Sequence, residues 1–492
     1  MQGKTKKLRI LLLVFVAGLL TWGARAQTAV TVSIDKNAKG FPVPADFAGL
    51  SFESSNLLAD KDGKHMFSPE NKDLVDLFRT IGIRNLRVGG GTADDPNYRI
   101  PGPQDIDELF GFAKAADVSV IYTLRLLNGN ANVDAEIAHY IEQHYASQLV
   151  CFQIGNEPDW HSYHSRDPRI FETMSGSPGT AYASFLSDWR SFAATIDKLV
   201  PNARYTGPDT GSNYPLPGTK DTDAGSESWT QRFAEDEKSL GKLVFVAQHD
   251  YVGEGAKGVS VSEAIDSMLS REWVDQRYPL LFNHVLAPVE KLRLPYRMTE
   301  ANDYTGGVDG ASNAFASALW ALDYLHWHAA HHSAGIDFHN KRWIFTDTVF
   351  EDSSNTFQFN PKAYAIRAFD LASDGNAVPT TIENEGQINL TAYAVRHGDV
   401  LYLTLINKEH GPQAKEATVT IADGGITRDA VGMYLKAPNG DPGSRTGITL
   451  GGAPLTTGSW NGVWSRLAAS GAGKVTVSLP ATSALIVRLQ LK

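Results

Sequence analysis

Two short stretches of the sequence hold carboxylates where they can do chemistry. Residues 151–160 read C-F-Q-I-G-N-E-P-D-W. Cys151, Phe152 and Ile154 extend an apolar run from Leu149 and Val150 that is too short for a helix and suits a buried strand. Asn156 and Glu157 end the run, and Pro158 blocks further pairing, so a carboxamide and a carboxylate are presented at a sheet's end. A second run, Tyr296-Arg297-Met298-Thr299, ends on Glu300. Two glutamates at the carboxyl ends of two strands suit the acid/base and the nucleophile of glycoside cleavage, which with retention requires the carboxyl groups about 5–5.5 Å apart. Asn156 adjoins Glu157 and can hydrogen-bond a sugar 2-hydroxyl. Tyr251 ends another strand-like run and can donate its phenol to Glu300, keeping that carboxylate ionised.

The elements that must position these groups alternate along the chain. Apolar runs suited to strands fall at 47–52, 85–88, 118–124, 149–154, 204–207, 243–247, 296–299 and 336–339. Helix-spaced stripes separate them, the clearest being Tyr182, Phe185, Leu186, Trp189, Phe192, Ala193, Ile196 and Leu199. Eight such units predict a (β/α)8 barrel, whose active face lies at the carboxyl ends of its strands. Glu53, Glu157, Tyr251 and Glu300 all fall there. Beyond residue 374 short alternating runs are punctuated by Gly, Asn and Asp with no helical stripe, which predicts an antiparallel β-sandwich. The early alternating run 29–34 has no place in the barrel and is expected to join the sandwich. The division is therefore 1–26 leader, 27–40 N-terminal strand, 41–374 barrel and 375–492 β-sandwich.

Composition narrows the function. At 492 residues the chain exceeds the size at which single cores divide, and 42% apolar with 20% charged residues is that of a soluble globular protein. Lys4, Lys6, Lys7 and Arg9 precede an apolar run at 10–20, and Ala24-Arg25-Ala26 offers a small-x-small cleavage site. That pattern is a secretory signal peptide, so the expected location is the periplasm or the medium, with no membrane attachment after cleavage. The leader carries five of the 45 basic residues and none of the 55 acidic ones, leaving a mature charge of about −15. Export and acidity argue against nucleic acid as a partner. A single cysteine, Cys151, excludes an intrachain disulfide. His326, His328, His331 and His332 cluster on one predicted helix, but no H-E-x-x-H accompanies the i, i+4 pair His328 and His332. The acidic stretch 221–227 lacks calcium-loop spacing. Gly89-Gly90-Gly91 does not match a dinucleotide fingerprint. No metal or cofactor is expected, and nothing in the sequence sets an oligomeric state.

The stretch F-Q-I-G-N-E-P-D resembles the acid/base strand of the clan A retaining glycosidases, whose nucleophile lies on strand seven. Within that clan, residues 49–53 (G-L-S-F-E), 86–92 (L-R-V-G-G-G-T), 207–211 (G-P-D-T-G) and 449–460 (T-L-G-G-A-P-L-T-T-G-S-W) are similar to glycoside hydrolase family 79, the β-glucuronidases and heparanases. The resemblance implies Glu157 as acid/base and Glu300 as nucleophile, with a glucuronide as substrate. It implies Glu53 as a contact to sugar hydroxyls, Thr92 in the corresponding loop after strand two, and backbone amides of Gly306 and Gly307 around the uronate carboxylate, aided by Tyr304. Two departures stand out. Thr305 replaces the tyrosine expected directly before the paired glycines, and no tyrosine follows strand eight, where Trp343 is the nearest large aromatic. Those departures leave another clan A activity, a β-xylosidase or β-glucosidase, as the enzyme alternative. A non-catalytic carbohydrate-binding barrel is the alternative from another class.

Overall fold

In the computed structural model, residues 28–159, 179–211, 228–253, 255–384, 386–422, 426–470 and 474–491 are described. The leader and the acidic stretch 221–227 lie outside them. Eight parallel strands form a closed barrel: β1 (Ala48–Glu53), β2 (Asn85–Gly89), β3 (Ser119–Leu124), β4 (Leu149–Ile154), β5, β6 (Val246–Tyr251), β7 (Tyr296–Asn302) and β8 (Ser333–Asn340). Strand β5 consists of two short segments. Tyr205–Thr206 pairs with β4 and Pro208–Thr210 pairs with β6, and together they close the ring. Every residue of β1, β2, β6 and β7 is buried. A parallel sheet covered by helices outside and filled by side chains inside accounts for that continuous burial.

Charges inside such a barrel must be paired. At the amino-terminal end the Arg297 guanidinium meets Asp337 at 2.7 Å and donates to the Asp46 carbonyl at 3.0 Å. The polar groups at the other end form the candidate site.

The second domain packs two sheets. One contains Thr380–Glu383, Thr28–Ile34, Ala417–Ala422, Lys474–Leu479 and Ala469–Ser470; the other is built around Leu390–His397, Val400–Asn407, Ser483–Leu491 and Ile426–Lys436. Thr28–Ile34 runs parallel to Ala417–Ala422 and antiparallel to Thr380–Glu383. Val32, Leu403, Val419 and Val487 lie in the layer between the sheets, all fully buried.

The sandwich is fastened to the barrel by a buried polar cluster. Lys408 Nζ meets Asp323 Oδ2 at 2.7 Å, while Thr391 Oγ1 and Tyr393 OH donate to Asp323 Oδ1. Asp323 sits on the helix Phe315–Ala330, which follows β7 and is buried almost all round. Residues 449–460 reach the helix Lys362–Asp370: Leu455 N donates to Tyr364 OH at 3.0 Å, and the Arg367 guanidinium lies 4.9 Å over the Trp460 ring. No helix among the described residues is long and apolar enough to cross a membrane.

Candidate active site

Glu300 is held from several sides at the end of β7. Arg87, the buried arginine of β2, donates from Nη1 to Glu300 Oε2 at 2.8 Å, and Tyr251 donates from its hydroxyl to Glu300 Oε1 at 2.6 Å. His339 Nδ1 and His249 Nδ1 stand 3.6 and 3.9 Å from Oε2. Burial opposes a charge at this position, but His339, His249, Arg87 and the Tyr251 hydroxyl outweigh it and hold the Glu300 carboxyl well below the usual range. Burial and the Glu300 charge push the Tyr251 phenol far up, so it stays a donor. The Trp343 ring packs edge-on against Tyr251, 5.8 Å between centroids.

Glu157 follows β4 in a left-handed conformation, φ +43°, sparsely populated for a residue with a side chain. Its N–H donates to the Asp209 carbonyl at 2.9 Å, which pins the turn to β5. The side chain faces His249, whose Nδ1 lies 2.9 Å from Glu157 Oε1. One carboxylate oxygen of Glu157, one of Glu300 and a ring nitrogen of His249 all lie within 4.8 Å of one another. One oxygen of each carboxylate thus lies within 4.8 Å of the other, nearer the about 5–5.5 Å of double displacement than the about 6.5–9.5 Å that leaves room for a water in single displacement. Burial works against a charged His249, but Asp209 and Glu300 push its pKa up to about 10, and Arg87 is a second fixed cation.

Asp209 is the hub that joins the two halves. Its buried carboxylate accepts from Arg87 Nη2 at 2.6 Å, from Gln153 Nε2 on β4 and from Thr299 Oγ1 beside Glu300, and His249 Nε2 lies 3.0 Å away. Arg87 Nη2 also donates to Asn156 Oδ1 at 2.6 Å, so one guanidinium orients Asn156, Asp209 and Glu300. The Asn156 N–H donates to Asp94 Oδ2 at 3.1 Å.

Glu53 ends β1 on the other side of the mouth. Thr92 donates to its Oε2 from both N–H and Oγ1 at 2.8 Å, and Arg342 Nη1 approaches Oε1 at 3.3 Å. A Cβ on Gly90, φ +68°, would collide with the Glu53 carboxylate, so the loop carries glycine there.

The structure therefore brings Glu53, Thr92, Asn156, Glu157, Tyr251 and Glu300 to one barrel mouth. The 304–307 loop is arranged differently. Tyr304 is buried, with its ring against Gly253 and its hydroxyl turned to Ser267 on the helix Val261–Met268. Gly307 N donates to the Tyr304 carbonyl at 3.1 Å, closing a tight turn. A Cβ on Gly307, φ +67°, would sit 2.8 Å from Thr346 N. The four histidines after β7 scatter: His328 Nδ1 pairs with Tyr296 OH, His331 with the Trp327 carbonyl and His332 with Glu290, while His326 packs on Phe369 and Tyr393.

Sequence reasoning missed Arg87, Asp209, His249 and His339. A signal existed for Arg87 and His339, since a charged or imidazole side chain inside an apolar strand must find a buried partner, whereas Asp209 and His249 fall just beyond the runs 204–207 and 243–247.

No family model matches the sequence, and no curated protein matches it by sequence. Solved structures do match. A 4-O-α-L-rhamnosyl-β-D-glucuronidase from Fusarium oxysporum 12S superposes with a TM-score of 0.70 at 17% identity, over 94% of this chain and 100% of that one. The fold is that of the (β/α)8 glycoside hydrolases. The GH51 arabinofuranosidase from Xanthomonas axonopodis pv. citri gives 0.64 at 15% identity, and the GH44 endoglucanase Cel44A from Clostridium thermocellum gives 0.61 at 14%. Each also covers 94% of this chain and the whole of its own, so barrel and sandwich are shared as one arrangement. At these identities the likeness is one of fold.

Proposed function

We propose that the chain is an exported retaining glycoside hydrolase, most specifically an exo-β-glucuronidase, with Glu157 as acid/base and Glu300 as nucleophile. The observation that carries the reading is the carboxylate pair within 4.8 Å, one member held ionised by Arg87 and Tyr251 and the other facing an imidazole. In the first step a Glu300 oxygen attacks C1 and the bond to the leaving oxygen breaks. That oxygen takes a proton from Glu157, which is left as the carboxylate that acts as base in the second step. A glycosyl ester on Glu300 results. In the second step Glu157 takes a proton from water as its oxygen attacks C1, and Glu300 leaves with its charge stabilised again by Arg87 and Tyr251. Two inversions give net retention.

The glucuronide assignment is supported by the four stretches that resemble glycoside hydrolase family 79 and by the fold shared with a glucuronidase. The 304–307 loop favours a second reading. With the Tyr304 hydroxyl turned to Ser267 and the Gly307 amide closing a turn, the loop offers a carboxylate fewer donors, which suits a β-xylosidase or β-glucosidase. Comparing turnover of aryl β-glucuronide, β-xyloside and β-glucoside separates the two, and NMR of the first-formed product anomer tests the mechanism. Release of an α-anomer from a β-glycoside would remove Glu300 as nucleophile. Turnover of none would leave a binding barrel.

A further inference from the structure

A small cavity of about 20 Å³ lies between the carboxyl end of β3 and the helix Ala131–Tyr145 that follows it. That is room for one body the size of a water molecule. Ser54, Arg99, Tyr122, Arg125 and Asp134 are among the residues that line it, whereas Glu157 and Glu300 are not. Asp134 is fully buried, yet neither of its carboxylate oxygens has a hydrogen-bond partner among the described residues. A buried carboxylate in that condition is costly unless it is protonated or takes a cation.

The charged groups around Asp134 are committed elsewhere. Arg99 donates from both Nη1 and Nη2 to Asp105, so those two charges cancel. Arg125 donates to the carbonyls of Ala93, Asp95 and Tyr98. Asp94, whose charge Asp134 feels, accepts from the amides of Leu126, Leu127 and Asn156. Asp94 and Asp134 therefore share Arg125 as their cation, and one negative charge is left over. Burial and the Asp94 charge push the Asp134 carboxyl well up, against the pull of the Arg125 guanidinium and N–H. Its place in the first turn of the helix favours the ionised form. The Tyr122 phenol feels the Asp134 charge and is pushed far up by burial, so it stays a neutral oxygen beside the carboxylate. Oxygen ligands of this kind, carboxylate and hydroxyl, are those that hard cations take.

We propose that this cavity is a binding site for one monovalent alkali cation, sodium or potassium, held against the Asp134 carboxylate. The single charge left over sets the valence, since a divalent ion would leave the group positive. The site stands apart from the glycosidase reading but reaches the same loop. Asp94 Oδ2 holds the Asn156 amide at 3.1 Å, and a cation on Asp134 relieves Asp94 of a buried like charge, steadying the turn that carries Asn156 and Glu157. The test measures the thermal midpoint of the whole chain in sodium, potassium, calcium and choline chlorides at equal ionic strength. The wild type should melt about 1–2 °C higher in sodium or potassium than in choline, saturably, once the ion exceeds its dissociation constant about tenfold. The sodium and potassium arms show which ion fits. Asp134→Asn removes the charge at nearly constant volume and should abolish the difference. Where that variant does not fold, wild-type crystals soaked in rubidium or thallium(I) salt should show an anomalous peak in contact with Asp134. Equal midpoints in all four salts would overturn the inference and assign the cavity to a water beside a protonated Asp134. A rise given by calcium alone, a difference retained in Asp134→Asn, or no anomalous peak at Asp134 would also overturn it.

Discussion

Replacing Tyr251 with phenylalanine isolates one hydrogen bond to Glu300, the proposed nucleophile. The substitution removes the 2.6 Å contact to Glu300 Oε1 and leaves the ring's packing on Trp343 in place. A hydrogen bond to a charged acceptor is worth about 1.5–3 kcal/mol, which at 1.36 kcal/mol per pKa unit raises the Glu300 pKa by about 1–2 units. The Glu300 carboxyl starts well below the usual range and keeps Arg87, so it stays ionised at neutral pH. The sign follows: activity that needs ionised Glu300 is present above its pKa, so the acid limb of kcat/KM, where Glu300 sets it, moves up by no more than about two pH units. At neutral pH the loss falls on the second step. There Glu300 is the leaving group, and its returning charge lacks one donor, so deglycosylation slows by about 10- to 100-fold. The assay is stopped-flow release of an activated aryl β-glycoside. Tyr251→Phe should show a burst of aryl product followed by slow turnover, as expected when a covalent intermediate accumulates. A variant with kcat within two-fold of wild type, no burst and an unmoved acid limb would refute this account of how Glu300 is charged.

Other consequences are checked more simply. Glu157→Ala should cripple glycosides with poor leaving groups far more than activated aryl glycosides, and azide should restore turnover of the activated ones; equal losses with no rescue would argue against the acid/base role. Lys408→Met leaves Asp323 buried with only Thr391 and Tyr393 as donors, so it should lower stability by about 3–5 kcal/mol, read as a drop in the chemical denaturation midpoint. Burial pushes the Asp159 carboxyl up to about 7, so its contribution to stability is whole below about pH 4 and is lost as pH rises through about 7. Asp159→Asn should therefore match wild type at pH 4 and melt higher at pH 8.

The architecture was legible because buried strands and amphipathic helices alternate so regularly that eight units could be counted. What the sequence hid was register. Arg87 and Arg297 both sit inside apolar strands, and both were open to the inference that they seek a buried carboxylate. Arg297 finds Asp337 at the amino-terminal end and is structural, whereas Arg87 finds Glu300 and Asp209 at the mouth. Height along the barrel axis depends on strand stagger, which no local pattern encodes. Strand β5 was cut short at Pro208 in the sequence reading, yet the chain pairs with β6 through Thr210, which is what carries Asp209 into the site. The hairpin of Val349–Glu351 with Phe357–Phe359 after β8 was too short to register as strands. Tyr304 illustrates a different limit. Position in a loop four residues after Glu300 suggested reach toward the substrate, but an aromatic ring beside Gly253 gains more by burial than by exposure at the rim.

The central claim is that Glu300 forms a covalent bond to the sugar, and trapping that ester tests it most directly. Wild-type protein incubated with an activated 2-deoxy-2-fluoro β-glycoside of the preferred sugar would be digested and its peptides sequenced by mass spectrometry. The account predicts a single glycosyl adduct on Glu300, absent from Glu300→Gln and accumulating in Glu157→Ala with activated substrate. An adduct on Glu53, Glu157 or Asp209, or rapid turnover with inversion and no adduct, would contradict it.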